Sequence, residues 1–145
     1  MHITDRSNLI ETITLTSNPE RKVEVFFDAE PEDLPVRGNA MASGDAVFDK
    51  AVEDEILDRL ERGDIWAWFT GHVVVTTSVD GVAFTGHDYI GGCSYADRDD
   101  FLRDNRDGYL RDLRDRALAD LTANVKRVIK SGLAASTLLK ELEGK

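Results

Sequence analysis

Four side chains in the middle of the sequence could do chemistry: those of His72, His87, Asp88 and Cys93. Imidazole and thiolate groups are metal ligands, and a cysteine beside a histidine can act as a nucleophile. In the hairpin predicted below, His72 lies opposite Tyr89. His87 is therefore the diagonal neighbour of His72 on one face, within reach of a shared ligand, whereas Asp88 points to the other face.

Cys93 is separated from this pair. It lies six residues beyond His87, which along a strand is about 20 Å. A metal site or a cysteine–histidine pair would need Gly91-Gly92 to fold the chain back, and no zinc-type spacing of cysteines and histidines is present. We therefore interpret Cys93 as a small buried residue and assign no catalytic residue, no metal and no cofactor. A small metal-dependent or cysteine enzyme that uses His72, His87 and Cys93 is the alternative.

The element that positions these residues is a long β-hairpin over residues 65–95 that turns at Asp80-Gly81. A two-residue Asp-Gly loop is a strong hairpin signal. It sets a register in which the two residue numbers of every cross-strand pair add up to 161. One face then carries mostly apolar residues and is predicted to be core: Phe69, Val73, Val75, Phe84 and Ile90. The other face mixes aromatic and polar residues: Trp66, Trp68, His72, Val74, His87, Tyr89, Cys93 and Tyr95.

Trp66 and Trp68 are the two tryptophans of the chain and share this mixed face in the predicted register. Large aromatic side chains usually supply core area, so burial against the connection at residues 31–41 is one interpretation. The other is an exposed anchor for a partner, formed with His72 and Tyr89, because tryptophan and tyrosine dominate interface hot spots.

The remaining elements predict an α+β fold with two hairpins. Strands are expected at residues 9–16 and 22–28, an amphipathic helix at 46–62, a short helix at 97–104, and a long helix after Gly108 that is interrupted at Ser131-Gly132. Residues 133–142 are expected to form a last helix with its leucines inward. The order ββ-α-ββ-α(α) predicts one antiparallel four-stranded sheet with helices on the Phe69 face.

Charge is spread unevenly along this acidic sequence, whose net charge is −10. Residues 28–64 hold 12 acids against 4 bases, and residues 63–97 contain no lysine or arginine. Because nucleic-acid binders need clustered bases, direct binding of DNA or RNA is not expected. Five acids mark the outer face of the predicted helix 46–62: Asp49, Glu53, Asp54, Asp58 and Glu61. They form either ordinary solvated surface or a DNA-like array that binds a basic groove on another protein.

Length and composition favour a single domain over residues 1–145. The sequence begins without the features of a signal peptide, and its one cysteine excludes an internal disulfide. No apolar stretch approaches the roughly 20 residues that span a bilayer. We expect a cytoplasmic protein without membrane contact, and the sequence leaves its oligomeric state open.

Three stretches resemble a pattern found in small proteins of phages and other mobile elements: VRGNAMASGD, WAW and YIGGCSY, at residues 36–45, 66–68 and 89–95. The resemblance covers about residues 36–121. It implies a virus- or plasmid-encoded accessory protein, but no activity, cofactor or catalytic residue. Small acidic accessory proteins of this kind are often inhibitors of host defence, of the anti-CRISPR or anti-restriction type, which is an analogy.

These observations predict a non-enzymatic protein-interaction module of phage or mobile-element origin. Its partner would be a host protein with a basic surface, such as a nucleic-acid-handling defence complex. Besides the enzyme named above, a structural or assembly protein of a virion is an alternative, and it predicts self-association.

Overall fold

A four-stranded antiparallel sheet forms the centre of the computed structural model, which describes residues 2–145. The strands neighbour one another in chain order: β1 (Leu9–Thr14), β2 (Lys22–Pro31), β3 (Phe69–Val79) and β4 (Val82–Cys93). The helices are α1 (Ala46–Glu61), α2 (Arg98–Asn105) and α3 (Tyr109–Glu143). The α+β fold and the order ββ-α-ββ-α predicted from the sequence are therefore confirmed.

The turn at Asp80 and Gly81 sets the register of the central hairpin. Both residues have positive φ, 52° and 81°, as a type I′ hairpin turn requires. Val79 pairs with Val82, and the predicted pairing continues without a shift to Gly71 and Ile90. The register is thus confirmed over most of β3, including His72 opposite Tyr89.

At the far end of the hairpin the register shifts by one residue. Phe69 pairs with Cys93, and Gly92 has a φ of 67°. An extra residue in one strand turns every following side chain to the other face. Cys93 and Tyr95 consequently join the Phe69 side of the sheet, so the prediction that they share a face with His72 and His87 is wrong.

The two tryptophans also lie outside the strand that was predicted to hold them. Residues Ile65–Ala67 form one 3-10 turn, which begins where the Asp64 carboxylate accepts a hydrogen bond from the Trp66 backbone N–H. Because a 3-10 turn does not alternate its side chains as a strand does, Trp66 and Trp68 do not share a face.

Helices α2 and α3 cover one face of the sheet. Phe27, Phe69, Val73 and Val75 are buried there against α3, which contributes Leu113, Ala117 and Leu121. The Phe101 ring of α2 stacks on Phe27 with centroids 4.7 Å apart. α3 approaches β4 so closely that a β carbon at Gly86 would lie 2.1 Å from the Ala117 carbonyl oxygen.

α3 also protects the outer edge of β4. The Asp120 carboxylate accepts a hydrogen bond from the His87 backbone N–H at 2.9 Å, and the Asn124 amide donates to the Thr85 carbonyl at 2.7 Å. These backbone groups face away from β3 and would otherwise be free to pair with another strand.

A second, smaller core holds α1 beside the first residues of β3. It consists of Val36, Ile56, Ala67 and Trp68, which are all buried. The Trp68 indole N–H donates to the Leu34 carbonyl oxygen at 2.6 Å. The connection between β2 and α1 is thereby fixed to the body by the tryptophan.

α3 continues through Ser131 and Gly132, where the sequence predicted an interruption. A glycine costs a helix only about 1 kcal/mol relative to alanine, and the flanking residues are good helix formers. All of residues 126–145 are exposed, so the expectation that Leu138, Leu139 and Leu142 point inward is wrong. None of the helices within residues 2–145 has both the length and the apolar character needed to cross a bilayer.

Candidate functional site

A carboxylate and two imidazoles form a hydrogen-bonded chain on the face of the sheet opposite α3. His72 Nδ1 lies 2.6 Å from a Glu30 carboxylate oxygen, and His72 Nε2 lies 2.8 Å from His87 Nδ1. β2 and β3 bring Glu30 to this place, because Glu30 pairs with Thr70 and Asp28 pairs with His72. The spacing in the sequence predicted that the two histidines lie together but did not indicate that Glu30 joins them.

When both histidines are neutral, these hydrogen bonds determine which ring nitrogen of each histidine carries the proton. Facing an ionised Glu30, His72 donates from Nδ1 and accepts at Nε2 from the N–H of His87 Nδ1. His87 then has an unprotonated Nε2. Burial lowers the pKa of His72, which is only 5% exposed, although the hydrogen bond to Glu30 acts in the opposite direction.

Tyr89 covers this chain from the solvent side. Its ring stacks on the His72 ring with centroids 4.2 Å apart, and the residue is 51% exposed. Partial burial raises the pKa of the Tyr89 phenol, and the carboxylates of Glu30 and Asp120 raise it further. The tyrosine is therefore a neutral, rigidly supported aromatic ring within reach of solvent.

Cys93 takes no part in this cluster. Its side chain is buried in the main core on the other side of the sheet, and its sulfur contacts the Ile90 carbonyl oxygen at 3.7 Å. Burial raises the pKa of the thiol, which opposes thiolate chemistry. Over the described chain, no three histidine, cysteine, aspartate or glutamate side chains are placed to hold a metal ion.

Glu32 holds the bulge that separates Cys93 from the histidines. Its carboxylate accepts hydrogen bonds from the Gly92 backbone N–H at 2.6 Å and from the Thr70 hydroxyl at 3.0 Å. A further hydrogen bond, from the Leu34 backbone N–H, is the main reason that the pKa of Glu32 is lowered. Glu32 was not predicted as a site residue. The sequence shows only an acid directly after β2, and its role depends on the pairing of β2 with β3.

The predicted acidic face of α1 is smaller than expected because three of its five acids have partners within the chain. Glu53 is 7% exposed and accepts a hydrogen bond from the Gly38 backbone N–H at 2.7 Å. Asp49 accepts from the Ser43 hydroxyl and backbone N–H, and these bonds lower its pKa. Asp54 pairs with Lys50 and Arg37, which lower its pKa in that order. Asp58 and Glu61 are exposed.

The anchor predicted from Trp66, Trp68, His72 and Tyr89 is not one surface. Trp68 is 5% exposed and belongs to the small core. Trp66 packs on the main core, with its ring centroid 4.9 Å from that of Phe69. Only His72 and Tyr89 lie together, and of these two only Tyr89 is exposed.

A Glu–His–His chain is able to move a proton towards or away from His87 Nε2. Neither histidine lines the cavity between β1, α2 and α3 or the one beside Trp68. Comparison of the chain with protein-family models, curated proteins and solved structures finds no match. The function has to be argued from the placement of this chain's own side chains.

Proposed function

We propose that the protein is a non-enzymatic protein-binding module that works as a dimer and presents acidic surfaces to a basic partner. The observation that carries the proposal is the exposed half of α3. Six large apolar residues there are between 52% and 67% exposed: Val128, Ile129, Leu133, Leu138, Leu139 and Leu142. Contiguous exposed apolar surface of this kind is typical of a protein interface.

The spacing along α3 fits a second helix. In the exposed half, Val128, Gly132, Ala135, Leu139 and Leu142 alternate steps of four and three residues, the pattern of a coiled-coil seam, and they continue the stripe by which Leu121 and Val125 pack on the sheet. Gly132 and Ala135 are small enough to let two helices approach closely in the middle of the exposed segment. Residues 126–143 continue the packed half of α3 but are all exposed, and because most helical stability in proteins comes from packing, a second copy would stabilise this half of the helix.

The charges of the segment favour a second copy in antiparallel orientation. Lys126, Arg127 and Lys130 lie at its beginning, whereas its end is balanced, with Glu141 and Glu143 beside Lys140 and Lys145. A parallel pair would bring the basic beginnings of both copies together, whereas an antiparallel pair separates them and places each beside the neutral end of the other copy.

Self-association is tested by light scattering over a wide range of concentration. The proposal requires a mass that rises from 16.1 kDa for the monomer to twice that value. Leu139→Lys should abolish the rise, because it places a charge in the seam. Ala134→Lys is the matched control, since it makes the same kind of change beside the seam, and it should leave the dimer intact. A wild-type chain that stays monomeric throughout would contradict the dimer.

The partner of the dimer is proposed from the charge of the body. Residues 2–125 contain 26 acids and 13 bases, whereas residues 126–145 contain 2 acids and 5 bases. Asp58 and Glu61 on α1, together with Tyr89 above Glu30, are the exposed groups through which a basic protein surface would be bound. The resemblance and the charge together support one form of this proposal. In it, the protein is encoded by a phage or mobile element and blocks a host nucleic-acid-handling complex in the cytoplasm.

Affinity capture followed by mass spectrometry tests this part. A specific partner should be recovered at low salt and lost at high salt, because screening weakens contacts between exposed charges. The double variant Asp58→Lys/Glu61→Lys should lose it, whereas Asp107→Lys/Asp112→Lys, an equal change of charge on exposed acids elsewhere, should retain it. Failure to recover any specific protein at low salt would count against the acidic surface and leave the dimer test unaffected.

A further inference from the structure

A cavity of about 640 Å³ lies between β1, α2 and α3, on the opposite side of the sheet from Tyr89. Five arginines line it, against the two carboxylates of Glu11 and Asp99: Arg98, Arg103, Arg106, Arg111 and Arg114. Such a concentration of positive charge is unexpected in a chain of net charge −10. The remaining wall is apolar and includes Leu102 and Leu110.

Two of the arginines have partners inside the protein. Arg114 donates to Glu11 of β1 at 2.8 Å, which ties that strand to α3 and raises the pKa of the guanidinium. Arg103 donates to Asp100 at 2.6 Å. These two ion pairs form part of the cavity wall. Because each guanidinium is already paired with a carboxylate, neither arginine is well placed to bind a ligand.

The other three arginines have no ion pair among residues 2–145: Arg98, Arg106 and Arg111. Arg98 is the informative one. Its Nε and Nη2 atoms are buried and have no hydrogen-bond partner. Nearly all buried polar atoms in proteins are hydrogen-bonded, and a buried charged donor without an acceptor is costly.

The place of Arg98 in α2 adds a second cost. It is the first residue of the helix, where the exposed backbone N–H groups favour anions and disfavour a cation. Two unfavourable features at one residue indicate a functional requirement, and both would be relieved if the guanidinium turned towards an anion in the cavity.

We propose that this cavity binds a small phosphorylated molecule with an apolar or aromatic part. Guanidinium groups match phosphate oxygens in a planar, paired geometry. A phosphate monoester carries close to two charges and offers three acceptor oxygens, which suits three arginines without ion pairs better than a carboxylate does. The volume lies in the range of small-molecule sites, and the leucine wall is suited to the part of the ligand that carries no charge.

Calorimetric titration with AMP, inorganic phosphate and adenosine tests the assignment on the full chain. AMP should bind, inorganic phosphate should bind more weakly, and adenosine should not bind, because the arginines recognise the phosphate. Arg98→Gln and Arg111→Gln should each weaken AMP binding at least tenfold, as expected for the loss of a charge-assisted hydrogen bond. Arg62→Gln, on the exposed end of α1, is the matched control and should bind AMP like the wild type.

Thermal unfolding without ligand separates a binding role for Arg98 from a structural one. Arg98→Gln removes a buried charge without a partner, so its melting temperature should equal or exceed that of the wild type. A clear fall in melting temperature would show that Arg98 supports the fold and would overturn its assignment to the ligand. Equal AMP affinity in Arg98→Gln, Arg111→Gln and the wild type, or no binding of AMP and phosphate, would overturn the site.

The phosphate could also belong to a lipid headgroup. Co-sedimentation with phosphatidic acid vesicles distinguishes the two sources, and we expect no sedimentation. Binding to the vesicles without binding to AMP would overturn the proposal of a free small molecule.

Discussion

Replacing Gly86 with alanine should destabilise the protein more than any other glycine-to-alanine change in the chain. The added β carbon would lie 2.1 Å from the Ala117 carbonyl oxygen and 2.3 Å from the Leu121 nitrogen. Both are backbone atoms of α3, so no side-chain rotation relieves the contact. The helix has to move away from β4 by about 1.5 Å to reach ordinary contact distances.

The expected cost follows from what that movement disrupts. Overpacking a core costs typically 1–3 kcal/mol. The same shift weakens the hydrogen bond that the His87 backbone N–H donates to Asp120 and the one that the Asn124 amide donates to the Thr85 carbonyl, each of which contributes about 1 kcal/mol. We expect a loss of about 4 kcal/mol in the free energy of unfolding, which lowers the melting temperature by roughly 13 °C in a chain of this size.

Two other glycines provide graded controls for a urea titration followed by circular dichroism. Gly144 has a negative φ and no atom closer than 3.6 Å to its would-be β carbon, so Gly144→Ala should not lower the unfolding midpoint. Gly91→Ala would meet a Glu32 carboxylate oxygen at 2.7 Å, the movable end of a side chain, and should cost about 1 kcal/mol. A Gly86→Ala protein as stable as Gly91→Ala would refute the close packing of α3 on β4.

Three further predictions concern the histidine chain, the edge of β4 and the cysteine. Because burial lowers the pKa of His72, the unfolded state takes up a proton below about pH 6.5 while the folded state does not. Stability should therefore fall as the pH drops through that range. Urea midpoints at neutral and mildly acidic pH should show a smaller fall in His72→Gln, and an equal fall in both proteins would argue against a buried neutral His72. Asp120→Ala should cost about 1 kcal/mol and speed hydrogen exchange at the His87 amide, where unchanged exchange would contradict the edge hydrogen bond. The buried Cys93 thiol, whose pKa is raised by burial, should resist a disulfide reagent until denaturant is added; rapid labelling of the native protein would show that it is accessible.

The sequence predicted the centre of the fold well because the signals there are local. Asp80-Gly81 allows few turn geometries and so fixes the register of the hairpin. Because side chains alternate along a strand, each following residue is then assigned to one face of the sheet. His72 opposite Tyr89 follows from that turn alone. The same reasoning failed at Gly91-Gly92, where one extra residue reverses the alternation and takes Cys93 to the core.

Other features depended on contacts between distant parts of the chain. Glu30 meets His72 only because β2 lies beside β3, and the sequence did not indicate which strands are neighbours. The acids of α1 looked equivalent in a helical pattern, yet Glu53 turns towards the loop at Gly38. The arginines of the cavity come from two helices and the connection between them, a stretch whose local charge is nearly balanced, so counting charges along the chain concealed them.

The contact between Gly86 and α3 also has a consequence for how the protein is made. The face of the sheet that carries Val73 and Val75 is completed by Ala117 and Leu121, which the ribosome adds long after β4. Until those residues emerge, the nascent chain exposes an apolar, aggregation-prone surface together with an unpaired strand edge. Shielding by a chaperone would protect the nascent polypeptide against aggregation during that interval, whereas a pause in translation near the end of the message would prolong it.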